Sequence, residues 1–87
     1  MAENSNETLM MIMRFYDALD AIIAKKELRG VQTFCRLYNI DRRNFLLQKH
    51  NPKTRYLFKL DWIYYIVKDF KVSPEWIILG YGKMFKS

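Results

Sequence analysis

The sequence predicts a single all-α domain built from five helices. The chain has 87 residues, which leaves no room for a second domain. Of these residues, 51% are hydrophobic and 16% are aromatic, which is enough for one compact core. Only three glycines and two prolines interrupt the chain, and apolar residues recur at helical spacing instead of alternating. We therefore predict one helical domain over residues 1–87, in which the polar segment 1–6 is expected to be disordered.

The first predicted helix runs from about Glu7 to Lys26. Asn4, followed three residues later by Glu7, has the spacing of an N-terminal capping signal. The residues expected to be buried along this helix are Ile12, Phe15, Leu19, Ile22 and Ile23. The apolar residues of Leu9–Met13 exceed what one buried stripe needs. They serve either as additional core or as a contact surface for a second subunit.

Residues 31–50, VQTFCRLYNIDRRNFLLQKH, have the pattern of two short helices joined by a tight turn. The first helix is expected over about Val31–Tyr38, the turn over Asn39–Asp41 and the second helix over about Arg42–Lys49. The apolar residues expected to anchor both helices in one core are Phe34, Tyr38, Ile40 and Phe45.

The residues of the turn favour this helix-turn-helix interpretation. Asn39 tolerates the left-handed backbone conformation that ends a helix. The Asp41 carboxylate can accept hydrogen bonds from N–H groups in the first turn of the second helix. Arg42 and Arg43 then occupy that first turn, where a DNA-reading helix carries its base contacts.

The last two predicted helices also carry start and stop signals. The fourth is expected from about Asp61, as N-cap, to about Phe70. The fifth is expected over Pro74–Leu79, because Ser73 is a suitable cap and Gly80 can terminate the helix. The residues expected to be buried in this part of the chain are Trp62, Ile63, Ile66, Val67, Phe70 and Trp76.

Basic residues are concentrated in one part of the chain. The net charge is +6, and residues 36–59 hold seven lysines and arginines against Asp41 alone, whereas residues 1–28 are net acidic. Taken alone, such a run is more often a solvated basic face. Its coincidence with the helix-turn-helix pattern instead favours the binding of nucleic-acid phosphates.

Several function classes fit the sequence poorly. Cys35 is the only cysteine and cannot form an internal disulfide, and Cys35 with His50 is too small a set for a metal site. We find no nucleophile, base and orienting residue for an enzyme, and neither a cofactor nor a small-molecule substrate is indicated. The apolar run Leu9–Met13 is shorter than a signal-peptide core, and no stretch is long enough to cross a membrane. We therefore expect a cytoplasmic protein.

Two stretches of the sequence resemble the lambda-repressor-like helix-turn-helix family, in particular its short, phage-repressor-like (Cro-type) bacterial members. FCRLYNIDRRNFLLQK, residues 34–49, is similar to the family's helix-turn-helix, and VSPEWIILGYGKMF, residues 72–85, is similar to its ending. The resemblance implies a five-helix, lambda-repressor-like DNA-binding domain that acts as a transcriptional regulator or repressor by binding alone. The chain departs from the family pattern at three positions. Leu46 and Leu47 stand where the family usually has polar residues, and Gln48 stands where it usually has an apolar residue.

The predicted DNA interface combines base contacts with phosphate contacts. Arg42 and Arg43 can each donate two hydrogen bonds to guanine, and the amides of Asn44 and Gln48 suit adenine. The basic residues that follow, together with Gln32, are expected to contact phosphates. The full set of expected DNA-contacting residues is Gln32, Asp41, Arg42, Arg43, Asn44, Gln48, Lys49, Lys53 and Arg55. We thus predict sequence-specific binding of double-stranded DNA through residues 42–49 in the major groove.

Other functions and assemblies fit parts of the sequence. A protein-interaction module can keep this fold and pair with a regulator or a polymerase subunit through the apolar first helix, but it does not need the basic block 36–59. RNA binding is less consistent, because exposed stacking aromatics on a sheet are missing. A weak homodimer is expected, since one short helix contacts only a few base pairs. Its interface would lie at Leu9–Met13 or at the tail Tyr81–Phe85, unless Met84 and Phe85 fold back onto the fourth helix.

Overall fold

A computed structural model describes residues 5–51, 53 and 57–86, which form an all-α structure as predicted. The helices in these residues are α1 (Asn6–Ala24), α2 (Val31–Leu37), α3 (Arg42–His50), α4 (Leu60–Phe70) and α5 (Glu75–Leu79), of which α5 is wound as a π-helix. No helix in this part of the chain combines the length and the apolar character needed to cross a membrane.

α1 contributes a wide buried face to the core. Its N-cap is Ser5, whose hydroxyl accepts a hydrogen bond from the Thr8 backbone amide at 3.2 Å, so the prediction of a cap at Asn4 is wrong. Asn4 lies outside the described residues, as do residues 1–3 of the segment expected to be disordered, whereas Asn6 already belongs to the helix. The buried residues of α1 are Ile12, Phe15, Tyr16, Ala18, Leu19 and Ile22. They confirm most of the predicted stripe and widen it.

The ring of Phe15 lies at the centre of the core. Five aromatic rings lie within 6.5 Å of it, measured between ring centroids. These rings belong to Tyr16, Phe34, Phe45, Phe58 and Trp62. Most of the pairs are edge-to-face, the arrangement that aromatic quadrupoles favour. One side chain of α1 therefore contacts α2, α3 and α4 together.

The turn between α2 and α3 has the predicted chemistry. Asn39 has a left-handed backbone, with a φ of 55°. The Asp41 carboxylate caps α3, since its Oδ1 accepts hydrogen bonds from the backbone amides of Arg43 at 2.9 Å and Asn44 at 3.4 Å. α2 ends one residue earlier than predicted and α3 ends one residue later, at His50.

The starts of α4 and α5 differ from the prediction, whereas the end of α5 agrees with it. Asp61 lies in the first turn of α4 and is not its N-cap. α5 begins one residue later than predicted, and its N-cap is Pro74 instead of Ser73. The Ser73 hydroxyl still accepts a hydrogen bond from the Trp76 amide at 3.3 Å, and Gly80 ends the helix with a φ of 85°. Trp62 is buried as predicted, and Trp76 is half-buried against the core.

The tail after α5 folds back onto the end of α4. The Ser73 amide donates a hydrogen bond to the Met84 carbonyl at 2.8 Å, and both Met84 and Phe85 pack against the core. The Lys25 ammonium lies 3.8 Å from the centre of the Phe85 ring, in a cation–π contact. Of the large apolar residues in the tail segment considered as a dimer surface, only Tyr81 is largely exposed, at 58%.

One arginine joins α1 to α5. Arg14 Nε donates a hydrogen bond to the Ile77 carbonyl at 2.8 Å, and its Nη2 donates to the Ile78 carbonyl at 3.0 Å. A cation at a helix C-terminus is favourable because the last carbonyls of a helix lack intrahelical donors. Arg14 Nη1 also lies 3.0 Å from where a Cβ at residue 80 would be, so Gly80 leaves the space that the guanidinium needs.

Replacing Arg14 with alanine should lower the free energy of unfolding by about 1–3 kcal/mol, because two charge-assisted hydrogen bonds between α1 and α5 are lost. Urea denaturation monitored by far-UV circular dichroism measures this change in the free energy of unfolding. Arg29→Ala is the matched control: Arg29 is exposed in the loop after α1, and its loss should cost less than about 0.5 kcal/mol. Equal losses for the two variants would contradict the role assigned to Arg14.

Cys35 should react slowly with thiol reagents while the protein is folded. Its side chain is 3% exposed, and burial raises the pKa of its thiol to about 11. The thiolate is the reactive form, and a thiol with its pKa raised in this way is almost entirely protonated at pH 8. Labelling at pH 8 with an aromatic disulfide should accelerate with added urea, in parallel with unfolding. Rapid labelling of the folded protein would show that the thiol is accessible.

Candidate nucleic-acid interface

α3 buries one side and exposes the other. Phe45 is 0% exposed and Gln48 is 1% exposed, and both face the core. Arg43, Leu47 and His50 are exposed and follow one another at intervals of four and three residues. That spacing places them on one stripe of the helix, on the side opposite the two buried residues.

The first turn of α3 gathers most of the predicted base-contacting groups. Arg42, Arg43 and Asn44 are all exposed there, directly after the Asp41 cap. Arg42 Nη1 donates a hydrogen bond to Gln32 Oε1 at 2.9 Å, which links the first turn of α3 to the first turn of α2. The first turn of α3 therefore exposes two guanidinium groups and the Asn44 amide, and one of the guanidinium groups is bonded to the amide of Gln32.

Gln48 is not part of this surface. Its side chain is buried, and its Nε2 donates a hydrogen bond to the Asn44 carbonyl one turn earlier at 3.3 Å. An amide held inside the domain cannot reach a base edge from this position, so the expectation that Gln48 contacts adenine is corrected. It lies where the family that the sequence resembles has an apolar residue, and it occupies the same buried side of the helix as Phe45.

The basic residues after the first turn differ in their surroundings. Lys49 is half-buried, and its ammonium pairs with the Asp20 carboxylate of α1 at 2.9 Å. Lys53 is exposed, and its backbone amide donates a hydrogen bond to Asn51 Oδ1 at 3.1 Å. Arg55 lies outside the described residues. The Asp20 carboxylate partly neutralises the Lys49 ammonium and so lowers its attraction for a phosphate.

α4 holds the end of α2 through Tyr38, a contact that the sequence spacing did not reveal. The Tyr38 ring stacks on Tyr65 at 4.2 Å between centroids, and its hydroxyl donates a 2.6 Å hydrogen bond to Asp69 Oδ2. Burial, together with the hydrogen bond to Asp69, raises the pKa of Tyr38 above its usual value. These contacts fix the end of α2 and hence the turn from which α3 starts.

A cleft of about 320 Å³ lies between the start of α3 and the start of α4. Asp41 and Asn44 line it on the α3 side, and Trp62 and Tyr65 line it on the α4 side. In the residues that the structure describes, no group of three or more histidine, cysteine, aspartate or glutamate side chains is placed to hold a metal ion. The polar side chains that line this cleft, Asp41 and Asn44, can form hydrogen bonds with a bound partner.

A second exposed surface is apolar. Met10 and Met13 of α1 are 50% and 48% exposed, and Ile78 and Leu79 at the end of α5 are 49% and 61% exposed. The hydrogen bonds of Arg14 hold these parts of α1 and α5 side by side. We call these four residues the α1–α5 apolar patch, and they are candidates for a protein contact.

Comparisons of the chain with protein-family models, with curated protein sequences and with solved structures found no match. The resemblance to the lambda-repressor-like family therefore stays a prediction from the two motifs. The interpretation of the interface depends on the exposure, charge and hydrogen bonding of its own residues.

Proposed function

We propose that the chain is a non-enzymatic, sequence-specific DNA-binding protein that reads the major groove of double-stranded DNA with α3. The observation that carries this proposal is the first turn of α3, in which the consecutive residues Arg42, Arg43 and Asn44 are all exposed. The major groove admits an α-helix, and arginine and asparagine are suited to paired hydrogen bonds with guanine and adenine. The expected role, from the resemblance, is that of a bacterial or phage transcriptional regulator of the lambda-repressor-like fold, acting as a repressor in the cytoplasm.

The hydrogen bond between Arg42 and Gln32 supports this proposal. A free arginine side chain loses rotamer freedom when it binds, which lowers affinity. Arg42 already donates one of its N–H groups to Gln32, so part of that cost is met within the folded protein. A guanidinium has five N–H donors, and the remaining ones are sufficient for a paired contact with guanine.

The distribution of basic residues also supports the proposal that the helix-turn-helix faces DNA. The basic residues between 36 and 59 follow the helix-turn-helix in sequence, and Lys53 and Lys59 are exposed. Phosphate contacts of this kind position a protein on DNA and give sequence-independent affinity. The proposal therefore assigns base contacts to the first turn of α3 and phosphate contacts to the residues that follow the helix.

Fluorescence polarisation of a labelled random-sequence duplex tests the proposal directly. Binding should be measurable at low salt and should weaken steeply as salt is added, because neutralised phosphates release counterions. The preferred site is then obtained by selection of bound duplexes from a random pool. A folded sample that binds no duplex at low salt would contradict the proposal.

Two single substitutions separate base contacts from phosphate contacts. Arg43→Ala should weaken binding to the selected site by about 1–3 kcal/mol and relax its sequence preference. Lys53→Ala should weaken binding to all sequences about equally and should reduce the salt slope by about one. If both variants changed affinity and preference alike, α3 would not be the reading helix.

The second candidate function is a protein-interaction module that does not bind DNA. The α1–α5 apolar patch favours it, because apolar patches on a protein surface often mark contacts with other proteins. The partner would be a regulator or a polymerase subunit, docked against α1. The two functions are distinguished by the duplex titration, since a module of this kind has no need for affinity towards duplex DNA.

The DNA-binding proposal includes a weak homodimer, formed through the α1–α5 apolar patch and completed on DNA. One domain contacts only a few base pairs, whereas two copies related by a twofold axis read two half-sites about one helical turn apart. The tail contributes less than the sequence suggested, because Met84 and Phe85 pack on their own domain.

Sedimentation with a palindromic duplex should therefore give two proteins per duplex for the wild type and one for Met10→Lys. A charge on the patch opposes the burial that a dimer requires. Leu60→Lys is the matched control, because Leu60 is 77% exposed on α4 and lies outside the patch. One wild-type protein per duplex at high concentration would exclude the dimer.

A further inference from the structure

Leu47 is an apolar side chain in the middle of the face that α3 exposes. It is 45% exposed and lies one turn after Arg43 and about one turn before His50. A single exposed leucine is ordinary on a protein surface. The position of Leu47 is informative for another reason: it is on the stripe opposite Phe45 and Gln48, which is the exposed side of α3.

The helix fixes the direction of this side chain. The Asn51 amide donates a hydrogen bond to the Leu47 carbonyl at 2.9 Å, so the backbone is still helical at this position. Leu46, its apolar neighbour, is partly buried, and Phe45 is fully buried. Leu47 is therefore the apolar residue of α3 that is best placed to meet a surface brought against the exposed stripe.

The chemistry of the major groove limits what such a residue can recognise. Base edges there present hydrogen-bond donors and acceptors, and the apolar group among them is the C5-methyl of thymine. We infer that Leu47 is a specificity residue that contacts a thymine methyl group in each half-site. This inference depends on the proposed DNA-binding function and adds one base to what the arginines of the first turn read.

The spacing along α3 predicts where that thymine lies. Four residues of helix separate Arg43 from Leu47 by about 6 Å along the axis. Successive nucleotides of a DNA strand are spaced about 3.4 Å apart along the duplex axis. The thymine should therefore lie within about two base pairs of the guanine contacted by Arg43.

Replacing thymine with deoxyuridine tests the inference, because this change removes the methyl group and leaves base pairing intact. Each thymine of the selected duplex is replaced in turn, and affinity is measured by fluorescence polarisation. One position in each half-site should weaken binding about three- to fivefold, the effect expected for one buried methyl group. If no thymine responds, or if the selected site contains none near the guanine, the inference is wrong.

Two leucine-to-alanine variants assign the effect to a side chain. Leu47→Ala should bind the thymine and deoxyuridine duplexes equally, whereas Leu60→Ala, from an exposed site on α4, should keep the wild-type difference. A thymine preference that persists in Leu47→Ala would assign the contact to another residue and overturn the inference. Failure of the proposed function looks different, since the wild type would then bind no duplex at all.

Discussion

The packing of aromatic rings around Phe15 is the interaction on which the rest of the structure depends. Its ring contacts Phe34 of α2, Phe45 of α3 and Trp62 of α4, so three helices are positioned by one side chain of α1. The Tyr16 hydroxyl adds a buried hydrogen bond to the Phe45 carbonyl at 3.1 Å. With Phe45 held inside in this way, the rotation of α3 about its own axis is fixed.

The exposed chemistry of α3 follows from that rotation. Once Phe45 faces inward, Gln48 one turn later must also face inward, and Arg43 and Leu47 must face outward. The Asp41 cap and the contact of Tyr38 with Asp69 then fix the point from which the helix starts. Because these contacts position the polar groups of the first turn before a partner binds, less conformational entropy is lost on binding.

Local signals in the sequence predicted much of the fold. The left-handed Asn39, the cap at Asp41 and the end at Gly80 depend on the residue itself and its near neighbours, and all three agree with the structure. The cap of α1 was misplaced by one residue, because asparagine and serine are both good caps and stand side by side at Asn4 and Ser5.

The features that the sequence did not predict depend on distant parts of the chain. Arg14 bonds to carbonyls more than sixty residues away, and Tyr38 to Asp69 across thirty-one residues. No periodicity within one helix reveals such partners. The prediction for Gln48 is wrong for a related reason. The residue type does not reveal whether its amide is exposed or buried, because the packing around Phe45 determines which side of α3 faces the core.

Backbone amide chemical shifts, recorded while a short duplex is added at low salt, test the central claim most directly, namely that the first turn of α3 meets DNA. With a duplex that carries a single half-site, and so does not support the dimer, the largest shift changes should occur at Arg42, Arg43 and Asn44 and at the start of α2, with small changes at Met10 and Met13. Unchanged α3 amides, or changes confined to the α1–α5 apolar patch, would contradict the account.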